Sequence, residues 1–147
     1  AEQVNYINAN GVAENLGLRF SESRLPEARE YTDLIEVQAS NGSETASIAG
    51  TFFAGDPRIV NVNGRRIEAR PEGTLLFIEN IDRPGMIAAY SATLGKNHVN
   101  IADMSLSRDK ESGKALTLLT LDTTPSTEVI AELEKIQGIS KVHCVAV

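Results

Sequence analysis

One short segment of the chain combines side chains and backbone groups that suit a charged small molecule. It runs from Asn80 to Met86, reads Asn-Ile-Asp-Arg-Pro-Gly-Met, and lies where an apolar strand is predicted to pass into a helix. Pro84 fits the first helical turn because its missing N–H would go unused there, and Gly85 lets a ligand approach the backbone closely. A helix start of this kind holds an anionic group, while Asp82 is suited to a cation. The segment is therefore typical of a site for a zwitterion such as a free amino acid.

A second candidate site is a basic cluster made of Arg58, Arg65, Arg66 and Arg70. On an antiparallel strand, residues two apart share a face, so Arg66 and Arg70 can point together while Arg65 points away. The functional interpretation is an anion site built on Arg58 and Arg70. The structural alternative is a solvated face in which arginines pair with Glu68 and Glu72.

Length and composition limit the number of domains, the kind of core and the partners that the chain can have. Its 147 residues suffice for one ordinary domain or two small ones. A hydrophobic fraction of 41% with 5% aromatic residues and no Trp predicts an aliphatic core. The net charge of -6 and the pI near 4.9 argue against nucleic acid or an anionic membrane as general partners.

The chain shows no sign of a membrane span, a leader or a metal site. No apolar run approaches the roughly 20 residues needed to span a bilayer, and Ala1-Glu2-Gln3 lacks the basic region of a signal peptide. The single Cys144 excludes an internal disulfide framework and fits a cytoplasmic location. His98 and His143 are too isolated for metal binding. Because the chain starts in mid-pattern without Met, we expect it to be a fragment of a longer protein.

The first half is expected to be one helix followed by a mostly antiparallel sheet. Apolar spacing predicts the helix over residues 2–16. Asn63-Gly64 between two short strands is the strongest hairpin signal that a sequence offers. The predicted strands cover residues 32–40, 44–53, 58–62 and 65–70, and Pro71-Glu72-Gly73 ends the pattern.

The second half is expected to have the order βαββαβ, which is a ferredoxin-like split βαβ. Thr124 or Ser126 is the expected cap of its second helix, with Glu128 in the first turn. The elements are predicted over residues 74–80, 85–96, 99–107, 115–121, 126–137 and 139–147, of which the second and fifth are helices. The fold class is therefore α+β.

With this order and the Asp-x-Pro-Gly loop in hand, residues 73–147 resemble an ACT domain, a small amino-acid-sensing module. Val99-Asn100-Ile101 at the second strand is its other recurrent mark. Residues 1–72 resemble the C-terminal portion of the intervening, allosteric substrate-binding domain of D-3-phosphoglycerate dehydrogenase. The matching segments are Val-Asn-Tyr-Ile-Asn-Ala at 4–9, Ile-Ala-Gly-Thr-Phe at 48–52, Pro-Arg-Ile-Val at 57–60 and Asn63-Gly64.

The resemblance implies a regulatory fragment whose catalytic half is absent. The parent enzyme oxidises 3-phosphoglycerate with NAD on a Rossmann domain, whereas this chain has no Gly-x-Gly-x-x-Gly after a strand. We therefore expect no catalytic residue, cofactor or dehydrogenase activity in the fragment. The resemblance also implies that Arg58 and Arg70 could hold a phosphate-like anion.

The implied effector is L-serine or a similar amino acid, bound between two subunits. This chain departs from the family at Asn80, where His or Tyr is usual. Asn100 would reach in from the neighbouring subunit's second strand. The residues that match the binding pattern are Asn80, Asp82, Asn100 and the backbone of Gly85, Met86 and Ile87.

The implied function is feedback inhibition in serine biosynthesis, with a dimeric or tetrameric parent joined through its ACT domains. Serine would favour closely docked chains, and Pro71-Glu72-Gly73 is the candidate hinge. Three alternatives remain open. They are the regulatory domains of a bacterial L-serine dehydratase, a dimerisation module with no ligand, and a free-standing enzyme acting through Asp82, Arg83 and His98.

Overall fold

The computed structural model describes residues 4–5, 7–19, 21–23, 31 and 33–147. These belong to two compact units, residues 1–30 and residues 31–147. The described residues contain eight strands in two antiparallel sheets and three helices, which confirms the α+β class. Residues 2, 3 and 6 of the first predicted helix and residue 32 of the first predicted strand lie outside the described residues.

The first unit contains one short helix, α1, over Ala9–Asn15. The predicted start of this helix is wrong, because two asparagines organise the preceding turn. The N–H of Asn5 donates to Oδ1 of Asn8 at 2.7 Å, and the N–H of Ile7 donates to Oδ1 of Asn5 at 2.9 Å. Side-chain bonds of this kind compete with helical ones and favour turns. The helix therefore begins only after Asn8.

The second unit opens with a four-stranded antiparallel meander. Asn63 and Gly64 have φ values of 51° and 77° in its last turn. A type I′ hairpin turn needs positive φ at both central residues, so the predicted hairpin is confirmed. The strands, in sheet order, are β1 over Leu34–Ser40, β2 over Thr45–Phe53, β3 over Asp56–Val62 and β4 over Arg65–Ala69.

The second sheet has the strand order β6-β7-β5-β8 and antiparallel pairing throughout, which confirms the ferredoxin-like βαββαβ arrangement. Ser126 caps its second helix by accepting the N–H of Val129. The elements are β5 over Thr74–Ile81, α2 over Met86–Lys96, β6 over Ile101–Asp109, β7 over Lys114–Leu121, α3 over Thr127–Glu134 and β8 over Ile139–Ala146.

Helix α3 ends earlier than the predicted residue 137. After it, the N–H of Ile136 donates to the carbonyl of Leu133 at 3.1 Å, and the N–H of Ile139 to the carbonyl of Ile136 at 3.0 Å. These tighter turns replace helical bonds and lead the chain through Gly138, whose φ is 103°. Only a glycine adopts this backbone conformation without strain.

Helices α2 and α3 cover one face of the second sheet. The core on this side is aliphatic, as the composition predicts, apart from one tyrosine. The Tyr90 hydroxyl reaches Oγ1 of Thr117 at 3.4 Å, so both buried polar groups are paired. The hydrophobic side chains here with no exposed surface are Leu76, Ile78, Tyr90, Leu94, Leu119 and Leu133.

The opposite face of the second sheet is covered by β3 and β4 of the first sheet. The N–H of Glu68 on β4 also donates to Oγ of Ser105 on β6 at 3.1 Å. This second core consists of Ile59, Val62, Ile67 and Ala69 from the first sheet with Leu75, Leu116 and Leu118 from the second. Each sheet therefore supplies about half of a shared apolar layer.

This shared core bears on the hinge predicted at Pro71-Glu72-Gly73. The segment joins two sheets that already pack together through Ile67, Leu75 and Leu118. A hinge opening there would expose this layer to water, at roughly 25 cal/mol for each Å² of apolar surface. The geometry therefore favours the two sheets moving as one body.

Candidate functional site

The candidate site lies where β5 ends and α2 begins. Asn80 is on the helix-covered face of β5, in line with Leu76 and Ile78, and only 4% of its surface is exposed. Its Nδ2 donates to the carbonyl of Ile81 at 2.7 Å. Its buried Oδ1 has no hydrogen-bond partner among the described residues. A buried acceptor left unpaired costs about 1–3 kcal/mol, so this atom is a natural point for a ligand donor.

Two neighbouring turns fix the path of the loop. The N–H of Ile81 donates to the carbonyl of Gly138, and the N–H of Asp82 to the carbonyl of Gly113, both at 2.8 Å. Gly85 then adopts a φ of 89° as the N-cap of α2. The first turn of a helix leaves N–H groups without intrahelical acceptors, so the backbone at Met86 can meet an anion.

The three predicted backbone contacts differ in their surroundings. The Met86 side chain is buried, so only its N–H is available to a ligand. Gly85 and Ile87 are exposed. The carbonyl of Gly85 accepts the N–H of Ala89 at 2.9 Å, which is the first helical bond of α2. The first turn of α2 thus leaves backbone N–H donors four to five residues after Asp82, and their contact with an effector stays a prediction.

Asp82 has a partner that sequence reasoning missed. Nε of Arg108, at the end of β6, lies 2.8 Å from Oδ2 of Asp82. The side chain of Asp82 is 21% exposed and that of Arg108 is 57% exposed. The predicted fold contains a signal for this pair, because β5 and β6 run in the same direction and therefore have their last residues at the same end of the sheet.

Arg83 anchors the loop from the other side. Its Nη2 donates to the carbonyl of Gln137 at 2.6 Å, and its Nε lies 3.4 Å from Sδ of Met86. A Cβ added to Gly138 would lie 3.3 Å from Nη2 of Arg83. The turn after α3 therefore needs a glycine at this position both for its positive φ and for the close approach of the guanidinium.

Asn100 lies at the opposite end of the second sheet. Its Nδ2 donates to Oδ2 of Asp122 at 2.7 Å. The register places Ile101 beside Leu121 at this end and Asp109 beside Lys114 at the other. With about 3.3 Å per residue, the two ends are roughly 25 Å apart. Within one chain, Asn100 does not meet Asp82.

The two arginines of the candidate anion site are close together and paired with carboxylates. Arg58 lies 3.6 Å from Asp56 and 3.7 Å from Glu68, and Arg70 lies 3.4 Å from Asp56 and 3.8 Å from Glu72. They line a pocket of about 60 Å³. An anion entering it would compete with these carboxylates, an arrangement that favours the structural alternative of a solvated, charge-paired face.

The third alternative, an enzyme acting through Asp82, Arg83 and His98, is not supported by the geometry. His98 follows α2, whereas Asp82 precedes it. An eleven-residue helix spans about 16 Å, so these groups do not act on one substrate atom. In the described ranges, no cluster of His, Cys, Asp and Glu could hold a metal ion.

Two further expectations from the sequence concern Cys144 and membrane-spanning helices. Cys144 is half-buried and packs against the helix-side core, as predicted, and burial raises the pKa of its thiol. None of the described helices is both long enough and apolar enough to cross a membrane.

Comparison with known proteins identifies two domain families in tandem. The model of the D-3-phosphoglycerate dehydrogenase intervening domain matches residues 1–63, and that of the ACT domain matches residues 74–138. Together these matches cover most of the chain. The order of the two domains is the one predicted from the sequence.

Several curated proteins resemble the chain over nearly its whole length. D-3-phosphoglycerate dehydrogenase of Methanocaldococcus jannaschii is 35% identical over 139 residues, covering 95% of the chain and 26% of the relative. The enzyme of Bacillus subtilis is 32% identical, covering 97% of the chain and 27% of the relative. That of Synechocystis is 31% identical, covering 98% and 26%. The chain thus spans about a quarter of the length of the relatives it matches.

Proposed function

Because the chain belongs to the D-3-phosphoglycerate dehydrogenase family, as a tandem of intervening and ACT domains, we propose that it binds L-serine and regulates a longer enzyme. The observation that carries this proposal is the buried, unpaired Oδ1 of Asn80, two residues before Asp82 in the same loop. An amide oxygen and a carboxylate that precede a helix N-terminus have the chemistry that a small zwitterion requires.

Each group of L-serine has a counterpart in the loop. The α-ammonium pairs with the carboxylate of Asp82. The carboxylate accepts N–H groups from the first turn of α2, where the helix dipole also favours negative charge. The serine hydroxyl donates to Oδ1 of Asn80, which satisfies the buried acceptor. A small effector is favoured because Asn80 is itself only 4% exposed.

The complete site requires two chains. Asn100 lies at the far end of the second sheet from Asp82, and β6 is an edge strand. If two β6 strands pair antiparallel, the start of one lies beside the end of the other. This brings Asn100 of a second chain toward the Asp82 end of the first. The pairing also covers the exposed Met104 and Leu106 of β6 and a free sheet edge.

Regulation follows from this arrangement as a linkage effect. Serine bound between two chains stabilises their association, and it can alter catalysis only by the difference between its affinities for the two states. The shared core of Ile67, Leu75 and Leu118 would transmit a rigid-body movement of the second sheet to the first sheet. In the longer protein, a separate domain would hold NAD and carry out the oxidation, and the assembly would be a dimer or a tetramer.

Calorimetry of the chain with L-serine tests the proposal. Asp82→Asn removes the charge and retains the size of the side chain, so we expect at least a tenfold loss of affinity, from a hydrogen bond to a charged group worth about 1.5–3 kcal/mol. Glu44→Gln, at an exposed carboxylate in the turn between β1 and β2, is the control and should bind normally. Equal affinity in both variants would overturn the site, and no binding by the wild-type chain would leave a dimerisation module without ligand.

A further inference from the structure

The pair formed by Arg108 and Asp82 has a consequence for ligand binding. In the proposed complex the Asp82 carboxylate binds the effector's ammonium. In this structure the same carboxylate already pairs with a guanidinium, since Nε of Arg108 lies 2.8 Å from Oδ2 of Asp82. We propose that Arg108 is a built-in competitor for the effector's ammonium, which lowers the affinity for amino acids. This inference rests on the proposed function of the loop.

The charges at this edge of the sheet explain why Arg108 competes instead of assisting. An ammonium at Asp82 would stand beside the guanidinium of Arg108, and the two cations repel each other. The carboxylate of Asp109, the residue after Arg108, is bound by the hydroxyl of Ser112 at 2.5 Å and by the N–H of Glu111 at 3.0 Å. These bonds hold the pKa of the Asp109 carboxyl below its ordinary value. Asp82 is therefore the carboxylate over which the two cations compete.

The Arg108 side chain can also move away from Asp82. Its side chain is 57% exposed, whereas that of Asp82 is 21% exposed. Rotation of Arg108 into water loses one ion pair and exposes little apolar surface. The effector's carboxylate does not require Arg108, because the backbone of Met86 and Ile87 at the start of α2 supplies N–H donors. The arrangement is that of a weak internal ligand which the effector displaces.

The inference predicts a gain of affinity on mutation, which is the opposite of what a contact residue shows. Arg108→Gln removes the charge and retains a similar length. Because a partly exposed ion pair contributes up to about 1 kcal/mol, we expect L-serine to bind about three- to fivefold more tightly. Arg108→Lys keeps the charge and should stay within about twofold of the wild-type affinity.

Two controls separate this effect from a general change of charge. Arg19→Gln makes the same substitution at an exposed arginine of the first unit, and should leave the serine affinity unchanged. Glycerate has a hydroxyl where serine has its ammonium, so it does not compete with Arg108. Its binding should not tighten in the Arg108→Gln variant.

Calorimetry of the whole chain with both ligands gives distinguishable results. Tighter binding of serine alone to the Arg108→Gln variant supports the inference. Unchanged serine affinity overturns it and leaves the proposed function intact. Weaker serine binding also overturns it, because Arg108 would then be a direct ligand of the effector's carboxylate. Absence of serine binding in both the wild type and the variant would overturn the proposed function together with this inference.

Discussion

Strands β1 and β7 both carry apolar side chains, but their surroundings are opposite. All seven residues of β1 are exposed, whereas in β7 only Lys114 is exposed and only Thr120 is half-buried. β1 is an edge strand of the first sheet. β7 is a central strand of the second sheet, with helices on one face and the first sheet on the other. The number of covering layers, and not the presence of apolar residues, decides how much each strand contributes to stability.

The largest expected effects are at two neighbouring residues of β7. Leu118 faces the first sheet and Leu119 faces the helices, with exposures of 1% and 0%. Leu118→Ala and Leu119→Ala should each lower the free energy of unfolding by about 2–5 kcal/mol, since both leave cavities in packed layers. Urea denaturation of the two variants beside the wild-type chain measures this.

Comparison of these two variants tests whether β7 is covered equally on both sides. If Leu118→Ala cost less than about 1 kcal/mol while Leu119→Ala cost several, the first sheet would be only loosely attached. The layer shared with Ile67 would then contribute little to stability. In that case, Pro71-Glu72-Gly73 could again serve as a hinge.

A smaller effect is expected where β7 buries a polar residue. Tyr90→Phe removes the hydroxyl that pairs with Oγ1 of Thr117 at 3.4 Å. Because Thr117 is fully buried, we expect a loss of about 1 kcal/mol in the free energy of unfolding. Thermal or urea unfolding at pH 7 would measure it, and an unchanged stability would mean that the pair is not formed.

The effect of the same substitution on stability depends on pH. Burial raises the pKa of Tyr90 above its ordinary value of 10.0. As the pH rises above about 10, the unfolded state loses this proton before the folded state does, so the free energy of unfolding decreases. Tyr90→Phe lacks this contribution. The difference in stability between the wild type and the variant should therefore shrink as the pH rises, and a constant difference would contradict the assignment.

The sequence predicts β7 better than it predicts β1. The run Ala-Leu-Thr-Leu-Leu-Thr-Leu over residues 115–121 is nearly continuous, as expected for a strand covered on both faces. The alternation of Val37 and Ala39 with polar neighbours is typical of a strand with one buried face, whereas the structure leaves both faces of β1 exposed. Alternation shows which residues share a face, but it does not show what covers that face.

In the candidate site, too, the sequence predicted one part better than another. The loop from Asn80 to Gly85 follows from local turn chemistry, and its position before α2 is confirmed. Arg108 was missed because it is 26 residues from Asp82 along the chain. Its contact depends on the register of β6 against β7, which local patterns do not fix. The roles assigned to Asn80, Asp82 and Asn100 in binding remain predictions.

The smallest expected effect is on β1, where Val37 is 59% exposed and faces the same side as Ile48. Val37→Thr retains the branched shape that strands prefer and replaces a methyl by a hydroxyl. On an uncovered face this substitution should change the free energy of unfolding by less than about 0.5 kcal/mol. A loss above about 1 kcal/mol would instead be that of a buried side chain in contact with another layer. The contrast between β1 and β7 would then reflect different partners, since both strands would be covered.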